Sequence, residues 1–333
     1  MSSPCARADF APRSPWITGD LQTVRNFLLR PRVDLTPWPA QRLWLPLPPG
    51  PEPAGDEMAA SLQAPERIGE APLVVVLHGL TGCERSVYVR HSARFWLQRG
   101  HPLVRLNLRG SPPSRPRCRG HYHAGRSADV HAALQLLVER QPRIATQGLV
   151  LVGYSLGGNV LIKLLAESGR ELPIRAAATV SAPIDLKATA LRFHRPRNRL
   201  YLRWLLTLMK REALRPPALV SAQERQAIRG ARTVLEFDDR FVAPRFGFDG
   251  AEGYYRDCFG LQFLPDVEVP LLALNARDDP WIPVAPYEQA AGFGNPHLRV
   301  RVTDGGGHVG FHAADHPHPW HDRAIRAFLR EVG

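Results

Sequence analysis

Short runs of apolar residues alternate along the chain with longer segments whose apolar positions recur every three or four residues. The short runs are typical of buried strands, and the longer segments are typical of amphipathic helices. Strands are predicted over residues 42–47, 73–77, 103–108, 148–152, 175–181, 270–275 and 298–302, and helices over 87–99, 127–139, 156–167 and 321–331. This alternation predicts the α/β fold class, with a mostly parallel central sheet and helices on both faces.

The alternation stops between residues 185 and 270, where polar, helical and aromatic segments replace it. A helix over 201–211 is predicted to carry one narrow polar stripe, so that it needs burial on most sides. It fits either a core helix of an insertion or a cap helix over a lipid-shaped pocket. We therefore expect a single domain over 1–333 with a lid or cap inserted at 186–268. Near the N-terminus, the proline-rich segment 48–57 is predicted to form an exposed turn or loop.

The charge of the chain adds little to this interpretation. The formal net charge is +12, and all but three of the 43 basic residues are arginines scattered along the sequence. This distribution argues against a nucleic-acid partner and leaves open a weak attraction to an anionic membrane surface. The cysteines at 5, 83, 118 and 258 lie far apart, which argues against a zinc knuckle or a disulfide framework. With no apparent signal peptide and no long apolar run, we expect a cytoplasmic protein.

A serine motif gives the first indication of chemistry. Residues 153–157 read Gly-Tyr-Ser-Leu-Gly, and a predicted strand precedes them while a predicted helix follows. In that context the G-x-S-x-G pattern predicts a nucleophile elbow, a sharp turn whose glycines make room for an exposed serine. The alternative is a simple tight turn that carries the pattern by chance. We predict Ser155 as a nucleophile at the N-terminus of a helix, where developing negative charge is stabilised.

A serine hydroxyl needs a general base, and the base needs an orienting carboxylate. In α/β proteins with a nucleophile elbow, the order along the chain is serine, acid, histidine, and the last two residues lie on loops after late strands. Asp278 and Asp279 both follow the strand predicted at 270–275, and Asp279 is favoured because it begins the segment D-P-W-I-P. His308 follows a glycine run after the strand at 298–302, and we predict it as the base. Four rival histidines lie close behind it: His312, His316, His318 and His321. Neither a cysteine nor an H-E-x-x-H motif near them supports a metal site.

The oxyanion formed during acyl transfer needs two backbone donors. The first is expected to be the N–H of Leu156, the residue after the predicted nucleophile. The second is expected on the loop after the strand at 73–77, which reads His78-Gly-Leu-Thr-Gly82, and we assign it to the N–H of Leu80. His78 itself is predicted to orient this loop, in preference to acting as an acid or a base.

Several short motifs, spread along nearly the whole chain, form a more specific combination than the serine motif alone. They are residues 19–24 (GDLQTV), 28–30, 78–82, 107–110 (NLRG), 122–125 (YHAG) with Asp129, 153–159 (GYSLGGN), 237–241 (FDDRF), 243–244, 247–248, 254–255, 275–280 and 306–311 (GGHVGF). Together they resemble the YheT-like group of α/β-hydrolases, the AB hydrolase 4 family. Gly19-Asp20 depart from this pattern, because the group has Pro-His there.

The resemblance implies the α/β-hydrolase fold and a hydrolase that acts on carboxylic esters, since relatives act on short-chain esters and on membrane lipids. It also implies that segments 122–123 and 237–241 have either a pocket-shaping or a purely structural role. The prediction is thus a serine esterase with a small-molecule or lipid ester as substrate and no metal or organic cofactor. Two alternatives remain: an acyltransferase that uses the same residues, and a scaffold that binds lipid or protein without turnover.

Overall fold

A computed structural model describes residues 10–48, 52–67 and 69–332 of the chain. Within these ranges the strands form one eight-stranded sheet in the order β1-β2-β4-β3-β5-β6-β7-β8. The strands are β1 Gln41–Pro46, β2 Glu57–Gln63, β3 Leu73–Leu77, β4 Leu103–Leu106, β5 Leu149–Tyr154, β6 Ile174–Val180, β7 Leu271–Ala276 and β8 Leu298–Thr303. Strand β2 is antiparallel to both of its neighbours, and β3 to β8 are parallel to one another.

Helices cover both faces of this sheet, as predicted. They are α1 Gly19–Leu29, α2 Val87–Leu97, α3 Ser127–Arg140, α4 Pro142–Ala145, α5 Leu156–Ser168, α6 Leu186–Phe193, α7 Arg199–Ala213, α8 Ala222–Gly230, α9 Val234–Phe237, α10 Ala243–Phe246, α11 Gly250–Cys258, α12 Ala285–Ala290 and α13 Trp320–Val332. Helices α2 and α13 bury their apolar sides in one core cluster, and α3, α5 and α12 contribute to the cluster on the opposite face. The strands between them are therefore buried on both faces, which explains the continuous apolar runs of β3 and β5.

Two elements of the N-terminal region were not predicted. Strand β2 reads EMAASLQ, and its small residues lack the β-branched and aromatic character that usually marks a strand. It is nevertheless almost fully buried, because it lies between β1 and β4. Helix α1 begins after Thr18, whose side chain accepts a hydrogen bond from the backbone N–H of Leu21. That threonine is the N-cap signal from which the helix could have been predicted.

The segment between β6 and β7 is largely helical and contains α6 to α11, with a π-helix at Asp238–Val242. The helix predicted at 201–211 is buried or half-buried on most sides, as expected, but its exposed side carries two apolar residues besides the predicted polar stripe. Leu200 is 79% exposed and Trp204 is 41% exposed, while Leu205, Leu206 and Met209 are buried. Helix α7 is thus exposed along one side, and its buried side helps to form the cavity described below.

The exposed turn predicted at 48–57 is confirmed at Ala54 and Gly55, whereas two neighbouring residues contradict it. Residues 49–51 lie outside the described ranges, but the Glu52 and Asp56 side chains are buried. Arg245 donates to Glu52 at 2.8 Å, and Arg109 donates to Asp56 at 2.7 Å. Each carboxylate is buried because an arginine neutralises it, and a hydropathy pattern does not report such pairing.

Two further predictions concern the whole chain. Among the described cysteines, those at 83, 118 and 258 are free thiols, and Cys5 lies outside the described ranges. In the part of the chain that the structure describes, no helix has both the length and the apolar character needed to cross a membrane.

Candidate active site

The predicted elbow lies where β5 meets α5. Ser155 has φ 49° and ψ −125°, a left-handed conformation that is strained for any residue except glycine. Space around it is minimal: a Cβ at Gly79 would lie 2.9 Å from the Cβ of Ser155, and a Cβ at Gly157 would lie 2.4 Å from the carbonyl oxygen of His78. The glycines therefore allow the loop after β3 to pack directly against the serine.

Ser155 is brought together with the predicted base and acid. The Nε2 atom of His308 lies 3.0 Å from Ser155 Oγ, and its Nδ1 atom lies 2.9 Å from Asp279 Oδ2. The second oxygen of Asp279 accepts hydrogen bonds from the backbone N–H groups of Trp281 and Ile282, at 2.8 and 3.0 Å. Asp279 is fully buried and His308 is 7% exposed. These contacts fix the carboxylate, which in turn orients the imidazole.

The neighbouring carboxylate has a different position. Asp278 Oδ1 accepts a hydrogen bond from the backbone N–H of Gly307 at 2.9 Å, so that Asp278 contacts the histidine loop and not the imidazole ring. Burial raises the pKa of Asp278 above its usual value. Of the two carboxylates left open by the sequence, the structure brings Asp279 to His308 and places Asp278 at the base of the loop.

The rival histidines lie away from Ser155 Oγ. His321 is buried with its ring against Tyr154, and burial lowers its pKa to about 3. The rings of His316 and His318 stack on each other at 5.3 Å. The backbone N–H and carbonyl of His312 are both bonded to the side chain of Gln22 on α1.

The loop after β3 has the form expected of an oxyanion site. Tyr88 Oη accepts from the backbone N–H of Gly79, and Tyr122 Oη accepts from that of Thr81, both at 2.9 Å. Among the described residues, the N–H of Leu80 between them has no acceptor, and neither has that of Leu156 at the first position of α5.

His78 holds the β3 loop in place, as predicted. Its Nδ1 donates to the carbonyl of Gly79 at 2.8 Å, and its Nε2 accepts from the backbone N–H of Leu108 at 3.1 Å. Both ring nitrogens are therefore used. Burial lowers the pKa of His78 to about 4, which keeps the imidazole neutral. His78 thus orients the loop and has no nitrogen left for proton transfer.

A cavity of about 480 Å³ opens beside Ser155. Its walls are mainly apolar and come from α1, α6, α7 and the segment around the π-helix. Both segments whose role was open, 122–123 and 237–241, contribute to the lining through Tyr122, His123, Phe237 and Phe241. The ring of Trp281 lies 4.3 Å from that of His308 and covers one face of the imidazole. A site of this size and polarity suits an acyl chain or another apolar group.

Comparison with known proteins adds the family. The family model described as "alpha/beta hydrolase fold" matches residues 72–315. The chain is an α/β-hydrolase. This α/β-hydrolase is 33% identical over 332 residues to "Putative esterase YheT" of Escherichia coli (strain K12), a match that covers 97% of the chain and 93% of that relative. It therefore belongs to the YheT-like group, as the sequence motifs predicted.

Two other proteins are informative. The α/β-hydrolase is 28% identical over 292 residues to "Medium-chain fatty acid ethyl ester synthase/esterase 2" of Saccharomyces cerevisiae, a match over 78% of the chain and 62% of that protein. Among solved structures, the Pyrococcus furiosus esterase Pf2001 aligns with 98% of the chain and 100% of its own length, at a TM-score of 0.60 and 19% identity. The structural likeness shows the shared fold.

Sequence reasoning about this α/β-hydrolase missed the role of α1. Thr23 Oγ1 accepts from the backbone N–H of His308 at 2.8 Å, and the buried Gln22 donates to the carbonyl of His312 at 3.1 Å. The helix therefore supports the histidine loop from outside the sheet. Both residues fall in segment 19–24, so the family motif was a signal for the position, although it gave no indication of the contact.

The departure at Gly19-Asp20 has a structural reason. A Cβ at Gly19 would lie 1.9 Å from the carbonyl oxygen of Asp278, so the first turn of α1 packs directly on the acid loop. Asp20 accepts from Arg197 at 2.6 Å and from Tyr201 at 3.0 Å. Glycine thus permits close packing, and the aspartate joins α1 to the start of α7.

Buried polar contacts connect the elbow of this α/β-hydrolase to the segment between β6 and β7. Asn159 on α5 donates to the carbonyls of Ala124 and Cys258, at 3.0 and 2.8 Å, and accepts from the N–H of Gly260 at 2.8 Å. Arg192 on α6 donates to the carbonyl of Asp279 at 2.8 Å. The helical segment is therefore hydrogen-bonded both to α5, which follows Ser155, and to the loop that carries Asp279.

Proposed function

We propose that this α/β-hydrolase is a serine esterase that cleaves carboxylic esters through Ser155, His308 and Asp279. The observation that carries the proposal is the unbroken line of contacts from Asp279 Oδ2 to His308 Nδ1 at 2.9 Å and from His308 Nε2 to Ser155 Oγ at 3.0 Å. Because a carboxylate only accepts hydrogen bonds, Nδ1 carries the imidazole proton and Nε2 is free to accept from the serine. That is the arrangement in which a serine hydroxyl becomes nucleophilic at neutral pH.

In the first half of the proposed reaction, Ser155 Oγ attacks the ester carbonyl carbon while its proton passes to His308 Nε2. The carbonyl oxygen becomes an oxyanion and accepts from the N–H groups of Leu80 and Leu156. Each such donor contributes about 3 kcal/mol of transition-state stabilisation. The tetrahedral intermediate then collapses, the ester C–O bond breaks, and His308 returns its proton to the departing alcohol. Asp279 stabilises the imidazolium that exists between these events.

In the second half, a water molecule gives a proton to His308 Nε2 and attacks the acyl carbon. The bond to Ser155 Oγ breaks, the proton returns to the serine, and the carboxylic acid leaves. Each step uses only groups of the chain and water. The apolar cavity beside Ser155 supports an ester with an apolar acyl or alcohol part, of short-chain or lipid type. We further propose that segment 186–268 acts as a lid, since α6 and α7 contribute to the walls of that cavity.

Labelling with a fluorophosphonate probe tests the nucleophile. We expect the probe to label wild type and not to label the Ser155→Ala variant. Ser86→Ala is the matched control, because Ser86 also lines the cavity but lies outside the proposed line of contacts. Labelling that survives Ser155→Ala would remove the nucleophile from the proposal. If folded wild type is not labelled at all, the alternative of a non-catalytic scaffold is favoured.

One comparison favours a second activity of the same residues. The name of the yeast relative describes both an ester synthase and an esterase. An alcohol that replaces water in the second half of the reaction would make the chain an acyltransferase, with a new ester as product. Product analysis of one ester substrate, with and without added ethanol, separates the two outcomes. An ethyl ester that forms at the expense of the free acid supports transfer, and free acid alone supports hydrolysis.

A further inference from the structure

Apolar side chains are exposed at the mouth of the cavity. Phe27, Leu28 and Leu29 in the last turn of α1 are 53%, 59% and 50% exposed, and Leu200 and Trp204 on α7 are 79% and 41% exposed. We call these five residues the mouth surface. Single exposed apolar residues are common on proteins, but a cluster of large ones that adjoins a binding cavity indicates an interaction surface.

The mouth surface adjoins the cavity through two of its members. The rings of Phe27 and Trp204 lie 5.9 Å apart in an edge-to-face arrangement, and both residues line the cavity. The hydrogen bonds from Arg197 and Tyr201 to Asp20 hold the two helices next to each other. The end of α1 and the start of α7 therefore present their exposed apolar groups as a patch beside the cavity that contains Ser155.

The charge around this patch is mainly positive, and the carboxylate of Asp20 between the two helices is paired with Arg197. Residues 192–211 contain six arginines and one lysine, residues 21–33 contain three arginines, and neither segment contains an aspartate or a glutamate. Arg30, Arg199 and Arg203 are exposed beside the apolar residues. The guanidinium of Arg30 also lies over the ring of Phe27, at 5.6 Å. An apolar patch with a cationic border is complementary to a surface that is apolar below and anionic above.

We propose that the mouth surface docks on an anionic lipid membrane. Its apolar side chains would enter the boundary between head groups and acyl chains, while the arginines would contact lipid phosphates. A second copy of this chain is a poor occupant, because a two-fold contact would place like charges opposite each other. In the docked orientation the cavity opens toward the bilayer, so a lipid ester can reach Ser155 without crossing water. The binding itself does not depend on the proposed function.

Co-sedimentation with vesicles tests the docking, with Ser155→Ala as the background so that hydrolysis cannot change the lipid. We expect stronger binding to vesicles that contain about one-third phosphatidylglycerol than to phosphatidylcholine alone, and weaker binding as salt is raised. The double change Leu28→Ser with Leu29→Ser should weaken binding at least tenfold, because two apolar side chains no longer enter the bilayer. Leu219→Ser is the matched control, since Leu219 is 56% exposed but lies outside the mouth surface.

A charge series tests the second part of the argument. Arg199→Gln with Arg203→Gln should weaken binding to the anionic vesicles by about fivefold for each arginine, whereas Arg143→Gln on α4, at the opposite edge of the sheet, should not. If the leucine double variant lowers the unfolding midpoint, Leu200→Ser replaces it, because Leu200 is the most exposed member of the patch. Wild type that stays in the supernatant with both vesicle types, or a Leu219→Ser loss equal to that of the leucine pair, would overturn the proposal. Neither result would affect fluorophosphonate labelling of Ser155, so a failure of docking is distinguishable from a failure of the proposed function.

Discussion

Replacing Asp279 with asparagine is the sharpest test of how the imidazole is oriented. One oxygen of Asp279 accepts from the N–H groups of Trp281 and Ile282, so the carbonyl oxygen of an asparagine must occupy that position. The amide nitrogen would then lie where Oδ2 lies now, 2.9 Å from Nδ1 of His308. Two donors cannot face each other, so Nδ1 would lose its proton and Nε2 would carry it. In that tautomer, Nε2 cannot accept the proton of Ser155.

The expected cost is large. In Ser-His-Asp enzymes the wrong tautomer lowers kcat by about 10⁴, which corresponds to about 5 kcal/mol in the activation free energy. Asp278→Asn is the matched control, because an asparagine there still offers an oxygen to the N–H of Gly307, and we expect less than about a tenfold loss.

The assay is steady-state hydrolysis of a p-nitrophenyl ester at about pH 8, with thermal unfolding to confirm that both variants fold. A loss below tenfold for Asp279→Asn, or a larger loss for Asp278→Asn, would refute the assignment of the acid.

Three other changes test separate parts of the structure. Gly19→Ala places a Cβ 1.9 Å from the carbonyl oxygen of Asp278, so it should lower the unfolding free energy by about 1–3 kcal/mol and slow probe labelling. Gly230→Ala is the control, because its Cβ meets nothing within 4 Å, and equal effects of the two changes would contradict the packing argument. Tyr122→Phe removes the hydroxyl that accepts from the β3 loop and should lower kcat about tenfold with little change in KM, and an unchanged kcat would show that the hydroxyl does not position this loop. Burial raises the pKa of Asp238 to about 7, so the free energy of unfolding should fall as pH rises from about 4 to 7, where the unfolded chain loses this proton more readily than the folded one. Asp238→Asn should remove this decline when stability is measured by urea unfolding, and the same pH dependence of stability in variant and wild type would refute it.

Much of the sheet was predictable, because its strands are buried on both faces and leave uninterrupted apolar runs. Strand β3 was predicted with its observed bounds, and β5 was displaced by one residue at its start and ended two residues later. Strand β2 was missed because Ala59, Ala60 and Ser61 satisfy burial without the bulk that marks a strand in sequence. Its place is decided by its neighbours in the sheet and not by its own residues.

In the candidate site, too, features set by local sequence were predictable and features set by three-dimensional neighbours were not. Ser155 and His308 were found because the motifs around them are local: a glycine-bounded turn and a glycine run. The choice between Asp278 and Asp279 was only a preference in the sequence, because adjacent carboxylates differ in direction, and direction appears only in three dimensions. The assigned catalytic roles, the cytoplasmic location and the absence of a cofactor stay predictions.

The support that α1 gives to the histidine loop has a consequence for how the protein is made. Gln22 and His312, which are hydrogen-bonded, are separated by 290 positions in the chain. During synthesis α1 leaves the ribosome 290 residues before His312 and cannot form this contact until that residue has followed it. Closing so large a loop carries an entropic cost that short-range contacts do not have. A nascent chain would therefore acquire reactivity toward a serine-directed probe only after residue 312 has left the ribosome.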